Sequence, residues 1–589
     1  MHRPDSPSMP SFAPADTPAR GTPWPTDLVW SWLLAVAAAA LSLLRTGYRF
    51  NVGNNAYHLP IVLRFEALPQ FADDPFVLSL RNFVSPVYPL LSLVATEDNV
   101  AALFLAGLVC VHVLTFFALL RIAQACGIGG RTEQAAFVFL LVATRVLYQM
   151  SPVGADGLLH GVFSHTELAR AVALLAIVAL LRGRPVWAGA LTGLAFALNA
   201  LVGIWISVPV AVWTVRHLVM PSGGASWAAR SKIVLLTGVA FAVPALPVAV
   251  WIARASVGTA VDFDYRAFLE GYYPAHFLPH VAERWRLVQL ACALLGGGLA
   301  AALLDRGREA SLVFASLVGV FIAGVLVGLT VEARLVLNLQ LMRVDGTLIL
   351  LSTTFVAAAT VTQVRRERPL AAVVAPVACL GLFVGLWPLV AVAMLLAHGP
   401  RIWPALGRGP RWLGTWTAWP QLRWGAFVAG AFLLAAAGGV YARTLRHTPS
   451  AEIPLGRELE GDNALVTDWL EVKRWARQNT PIEAVFLVLS EPDTDNNFRT
   501  GARRRIWVSY SDGAAAMWSP STFHVWHQRR EEVRRLDGLG PSLAYACARG
   551  IDYVVLDLRP RRGEHFDLNR AAFANKWFEV HAARCETPG

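Results

Sequence analysis

Apolar residues run in hydrocarbon-length blocks through the first three quarters of the chain, then give way to short alternating stretches. A membrane helix needs about 20 apolar residues, with ~17 as a lower limit. By that measure the blocks predict spans near 28–44, 100–121, 133–150, 168–182, 185–200, 202–219, 232–254, 286–304, 310–331, 345–364, 369–383, 386–398 and 423–441, about thirteen in all. The stretch 369–398 is divided at Gly385-Leu386-Trp387-Pro388. Beyond Arg443 the period changes. Asp468 to Gln478 places Trp469, Val472 and Trp475 at helical spacing, and Phe523–Leu536 and Ser542–Arg549 also read as helices. Ala484–Leu489, Arg505–Tyr510, Asp552–Leu556 and Trp577–His581 read as strands. The expected fold is an α-helical polytopic membrane protein with a small C-terminal α/β soluble domain.

Three regions follow: a disordered tail over 1–26, a multi-span region over 27–442 with a long first outer loop at 45–99, and an extracytoplasmic α/β domain over 443–589. The tail is rich in Pro, Ser, Thr and Ala and has no apolar period. Within 45–99, Ala56–Leu68 reads as an amphipathic surface helix.

Charge supplies the orientation. Arg121 and Arg131, Arg182 and Arg184, Arg216 to Lys232, Arg306 and Arg308, Arg365 to Arg368, and Arg401 to Arg411 all fall in even-numbered connections. Basic loops stay in the cytoplasm. This predicts a plasma (inner) membrane protein with its N-terminus in the cytoplasm and its terminal domain outside. Residues are 55% hydrophobic and only 15% charged, so the net charge of +11 sits in islands between spans. That distribution argues against nucleic-acid binding, which would line one face with basic residues.

The six cysteines form no C-x-x-C pair, so no zinc or redox motif is present. Cys547 and Cys585 both lie in the soluble domain; a disulfide is open to them outside the cytoplasm, and two free thiols are the favoured expectation.

Candidate chemistry concentrates in the outer loops. Asp73 and Asp74 are adjacent carboxylates at the membrane edge, where mutual repulsion and poor solvation suit a base; Asp74 before Pro75 also suits a helix cap. Asp156, His160, His165 and Glu167 match no metal spacing and read as a solvated loop. Tyr272, Tyr273 and His276 lie in an acid- and aromatic-rich loop that could hold a sugar ring or form an interfacial belt. Arg334 and Arg343 could grip a phosphate, or pair with Glu332 and Asp345. No P-loop, nucleophile elbow or dinucleotide fingerprint occurs. No cofactor is identifiable, although a divalent metal is compatible with these loops.

Many spans, a long first outer loop and an outer C-terminal domain give a layout that resembles the GT-C class of membrane glycosyltransferases. The resemblance implies catalysis by first-loop carboxylates and a donor sugar carried on a polyprenyl phosphate, with membrane lipids and a lipid-linked sugar as partners. Members of that class often place an acid just after the first span, where this chain reads Asn51-Val-Gly-Asn54-Asn55-Ala-Tyr57. The catalytic role therefore passes to Asp73 or Asp74, with Arg334 or Arg343 on the phosphate and Tyr272, Tyr273 and His276 at the sugar or acceptor. Trp475-Ala-Arg-Gln-Asn479-Thr480-Pro481 followed by Ala484-Val-Phe-Leu is similar to the start of the outer domain in a group of uncharacterised bacterial membrane proteins. The alternative function is non-enzymatic: a transporter, or an assembly factor whose outer domain binds a partner.

Overall fold

The computed structural model describes residues 25–220, 226–256, 262–365, 371–402, 462–489, 497–559 and 571–585. The expected tail over 1–26 and the span expected at 423–441 fall almost wholly outside these residues.

The membrane region contains α1 (Pro25–Thr46), then a loop carrying the short helices α2 (Asn55–Val62), α3 (Pro75–Ser79) and α4 (Val87–Leu91). There follow α5 (Val100–Ala125), α6 (Arg131–Ala143), α7 (His165–Leu181), α8 (Pro185–Leu198), α9 (Ala200–Val219) and α10 (Trp227–Ser256). The short α11 (Tyr265–Tyr272) precedes α12 (Arg284–Leu303) and α13 (Gly307–Thr330). After the one-turn α14 (Arg334–Leu337) come α15 (Val344–Arg365), α16 (Ala371–Val384) and α17 (Trp387–Ile402). Among the described residues seven helices are long and apolar enough to cross a bilayer, and Pro185–Leu198, Val373–Val384 and Trp387–Gly399 are shorter apolar ones.

Local chemistry sets the breaks. Asn199 ends α8 and caps α9, its Oδ1 accepting from the Leu201 amide at 3.0 Å. Gly385, at φ +77°, makes the turn between α16 and α17, a conformation most side chains avoid. The helix expected over Ala56–Leu68 stops at Val62, because Arg64 turns left-handed at φ +52°. Its apolar face packs inward: Leu59 and Val62 sit in one core with Tyr88, Phe104 and Phe163.

α15 is the central post. Every residue from Val344 to Gln363 is buried, with α12, α13, α16 and α6 around it. At one rim the helix ends meet through Asp305 N to Cys126 O (3.2 Å) and Arg365 to Gly127 O (3.1 Å). The opposite rim gathers the loops 47–99, 145–164, 262–283 and 331–343.

The terminal domain begins with α18 (Asp462–Asn479), β1 (Val485–Leu489), α19 (Phe498–Ala502) and β2 (Arg505–Ile506). It continues through α20 (Ala515–Trp518), α21 (Phe523–Arg534), α22 (Leu539–Arg549), β3 (Tyr553–Asp557), β4 (Phe573–Ala574) and β5 (Phe578–Ala582). The sheet order is β2-β1-β3-β5-β4; β1 runs parallel to β2 and β3, and β5 is antiparallel to β3 and β4. The strand expected over Arg505–Tyr510 shrinks to two residues, because Asp512 folds back to accept from the Ser509 amide at 3.0 Å and makes a turn. Cys547 and Cys585 are joined in a disulfide, with Cα atoms 5.3 Å apart. Free thiols were the expectation; the antiparallel return of β5 along β3 is what brings Cys585 back to α22.

This domain sits on the loop-bearing rim. Asn497 Nδ2 donates to Asn51 O at 2.7 Å, Trp518 Nε1 to Ser79 Oγ at 3.2 Å, and Asn82 Nδ2 to Ser519 Oγ at 3.3 Å. Phe263 stacks on Phe523 at 3.7 Å.

Candidate active site at the loop-bearing rim

The loop between α6 and α7 folds into the protein. Asp156 is 3% exposed, where the sequence suggested a solvated loop. The burial is compensated by two guanidinium groups. Arg343 Nη2 donates to Asp156 Oδ1 at 2.7 Å, and Arg170, itself 2% exposed, donates to Oδ2. Arg170 also holds Gly157 O at 2.8 Å, and Arg343 Nη1 holds Gln340 Oε1 at 2.7 Å. Burial alone would raise the Asp156 carboxyl, but Arg170 and Arg343 outweigh it and hold it down at about 2. Two guanidinium groups thus face Asp156, with the Glu167 carboxylate close enough to act on Arg343 and Asp345 on the far side of Gly154. The Nε atoms of Arg170 and Arg343 are buried and have no acceptor among the described residues.

The backbone on both sides of this group is unusual. Ala155 (φ +50°) and Gln340 (φ +46°) are non-glycine residues in the left-handed region. Such conformations cost about 1–2 kcal/mol each and cluster at functional sites. Gly154 is required by close approach: a Cβ there would lie 2.5 Å from Asp345 Oδ1 and 2.8 Å from Arg343 Cα. Asp345, in the first turn of α15, accepts from the amides of Val153 (3.0 Å) and Gly154 (2.8 Å), so the central helix clamps the loop.

His276 completes one wall. Its Nδ1 lies 2.6 Å from Gly154 O, and a carbonyl only accepts, so the proton sits on Nδ1 and Nε2 is left as an acceptor. Burial first, then Arg343, push this imidazole down to about 3, so it is neutral at neutral pH. Tyr273 packs edge-on against it at 4.5 Å and is 36% exposed. A second wall is aromatic. His58 stacks on Tyr88 at 4.1 Å, Tyr88 Oη and His165 Nδ1 are 2.9 Å apart, and Phe83 and Trp518 pack edge-on at 5.2 Å. His58 Nδ1 is buried without a partner among the described residues.

The structure thus brings Arg343, Tyr273 and His276 together around Asp156. It takes others elsewhere. Tyr272 is buried against the terminal domain, its hydroxyl donating to Ser511 O at 3.2 Å. Arg334 opens α14 near Tyr265, apart from the Asp156 group. The ion pair considered between Arg343 and Asp345 does not form; Asp156 takes that place. Asp74 is 1% exposed and caps α3, accepting from the Phe76 and Val77 amides at 3.0 and 3.2 Å. Its other oxygen is held by Arg499. Asp73 is exposed, and its backbone carbonyl is the atom that Arg505 approaches, at 3.5 Å. Asn51 is buried at φ +56° and accepts from Thr500 through Oδ1, so it serves the docked domain. Among the described residues no group of three or more His, Cys, Asp or Glu side chains could hold a metal ion.

Comparison with known proteins follows this geometry. Residues 467–533 match a domain of unknown function (DUF6798). No curated protein matches the chain. The structure is similar to the apo oligosaccharyltransferase of Archaeoglobus fulgidus, with TM-score 0.44 and 14% identity over 90% of this chain and 70% of that one. It is also similar to the arabinosyltransferase EmbB of Mycobacterium smegmatis, with TM-score 0.38 and 14% identity over 74% of this chain and 43% of that one.

Proposed function

We propose that the protein transfers a sugar from a polyprenyl-phosphate donor to an acceptor at the loop-bearing face of the membrane. The observation that carries the reading is the Arg170–Asp156–Arg343 group. One buried and one half-buried guanidinium share one carboxylate, and each keeps an Nε without an acceptor among the described residues. A site with two guanidinium groups and spare donors, shielded from water, suits a departing phosphate. In the transfer, the acceptor oxygen bonds to the anomeric carbon and the bond from that carbon to the phosphate oxygen breaks. The electron pair leaves with the polyprenyl phosphate, which Arg343 stabilises. His276 Nε2 accepts a hydrogen bond from a sugar hydroxyl, and Tyr273 offers a ring to the sugar. Asp73, the open carboxylate of the pair, takes the proton. Asp156 is a positioning residue that aims Arg343.

In this reading the loop-bearing face lies outside the cytoplasm of a plasma membrane, with residues 443–589 outside and the N-terminal tail inside. The Cys547–Cys585 disulfide supports that side, since such bonds persist in oxidising compartments.

The test is release of polyprenyl phosphate from a panel of polyprenyl-phosphate sugars by the purified full chain in lipid vesicles. Turnover of one donor, reduced at least 100-fold in Arg343→Gln with a retained melting temperature, is expected. No turnover across the panel, or full turnover in Arg343→Gln, would falsify the proposal.

A further inference from the structure

At the opposite rim, far along the helices from the proposed reaction site, the ends of α5, α7 and α8 form an open groove of about 260 Å³. Its floor and walls are apolar: Phe117, Leu175, Val178 and Leu191. Its mouth carries Arg121, Arg182 and Arg184. None of the three makes an ion pair among the described residues; Arg121 reaches only the neutral Gln124 Oε1, at 2.7 Å. Arg182 is half-buried, and that burial, with Arg121, Arg184 and Arg306 around it, pushes it down to about 10. Three cations are thus held together over an apolar slot with no carboxylate in direct contact among the described residues, Asp27 acting on Arg121 only from a distance. Trp187, also in the lining, is 63% exposed, as expected of a side chain at the level of lipid headgroups.

Depth matches charge. Leu175 lies two turns from Arg182 along α7, roughly 10 Å by helix rise. A molecule with a phosphate at the arginines would lay its chain against Leu175, Leu191 and Phe117. Basic pockets between membrane helices on the cytoplasmic side suit anionic headgroups. We propose that this groove binds one lipid through its phosphate headgroup, with the chain in the apolar slot. The phosphate and the chain are the recognised features; a glycerophospholipid and a polyprenyl phosphate both present them. The inference does not rest on the transferase reading.

The experiment measures binding to the full chain in zwitterionic detergent by native mass spectrometry and by the shift in melting temperature. The probes are cardiolipin, phosphatidylglycerol, undecaprenyl phosphate, phosphatidylcholine and inorganic phosphate. The wild type is expected to bind at least one of the first three and to be stabilised by it; whichever binds tightest names the source, and each supports the site. Affinity is expected to fall at least tenfold in Arg182→Gln/Arg184→Gln, and likewise in Leu175→Trp, which fills the slot without touching charge. Arg184→Gln alone, at an exposed position, keeps the test open if the double variant misfolds. Equal stabilisation by inorganic phosphate or by phosphatidylcholine overturns the proposal, as does unchanged affinity in both the arginine and the Leu175 variants.

Discussion

Arg499 Nε donates to Asp74 Oδ2 at 2.9 Å while its two Nη atoms fork onto Asp512 at 2.8 and 3.0 Å. One buried guanidinium therefore ties the first loop of the membrane region to the terminal domain. Burial disfavours its charge, but Asp512 and Asp74 outweigh that and raise its pKa. The Phe76 ring lies 4.7 Å from its guanidinium carbon. Arg499→Met leaves two carboxylates buried without a cation, which costs about 3–5 kcal/mol. The expected outcome is a lower melting temperature and faster hydrogen exchange in α3 and α19. Combining Arg499→Met with Asp74→Leu and Asp512→Leu should recover part of the loss, because the uncompensated charges go with it. Exchange rates unchanged in the single variant would show that the domain docks without this group.

The disulfide closes a loop across a separation of 38 residues. Chain-entropy arguments give such a loop about 4 kcal/mol of stabilisation. Reduction, or Cys547→Ser, is expected to lower the stability of the terminal domain while the membrane helices stay folded. Mass spectrometry of alkylated protein from intact cells provides the side test. Cys547 and Cys585 should resist alkylation until a reductant is added.

His276, with His58 and His165, which burial also lowers, and Asp156 set the direction of the pH dependence. An imidazole titrates near 6.5 in the unfolded chain and His276 near 3 in the folded one, so between these values the unfolded state binds more protons. The stabilisation is fully present above pH 6.5 and is lost as pH falls toward 3. Asp156, lowered from 3.8 to about 2, adds a loss of the same sign at the acid end of the range. The melting temperature should fall between pH 7 and pH 4, and His276→Gln should make that fall shallower, His58 and His165 supplying the rest. A variant with the wild-type slope would place the titrating group elsewhere.

The membrane architecture could be read from the sequence because hydrocarbon imposes a length on every span, and Gly385 announces its own turn. The terminal domain could be read because Val485–Leu489 and Tyr553–Asp557 are continuous apolar strands. The Asp74 cap was visible in the Asp-Pro pair. Its engagement by Arg499 was not, since 425 residues separate them. Asp156 was misjudged for the same reason. A lone acid in a Gly-rich loop looks solvated unless Arg343, 187 residues onward, is known to arrive. The one local signal was Arg170, 14 residues away in α7, a cation buried in a helix that is apolar from there to its end and that required a partner.

Asp73 and Asp74 separate a structural carboxylate from a chemical one. Asp74 accepts two amide hydrogens and a guanidinium, so it has no open lone pair directed at a substrate, and protonating it would break the cap and the ion pair together. A base must take up and release its proton without such a cost. Asp73 is exposed and enters the network only through its backbone carbonyl. Asp73→Asn is therefore expected to leave stability within about 0.5 kcal/mol of wild type, as surface substitutions do. Asp74→Asn should lower it by several times that amount, because Asn can keep the cap but not the charge. If Asp73 accepts the proton, Asp73→Asn lowers kcat by about 100-fold or more with little change in KM for the donor, and its melting curve overlays the wild type. Donor turnover retained in Asp73→Asn would remove the carboxylate from the reaction.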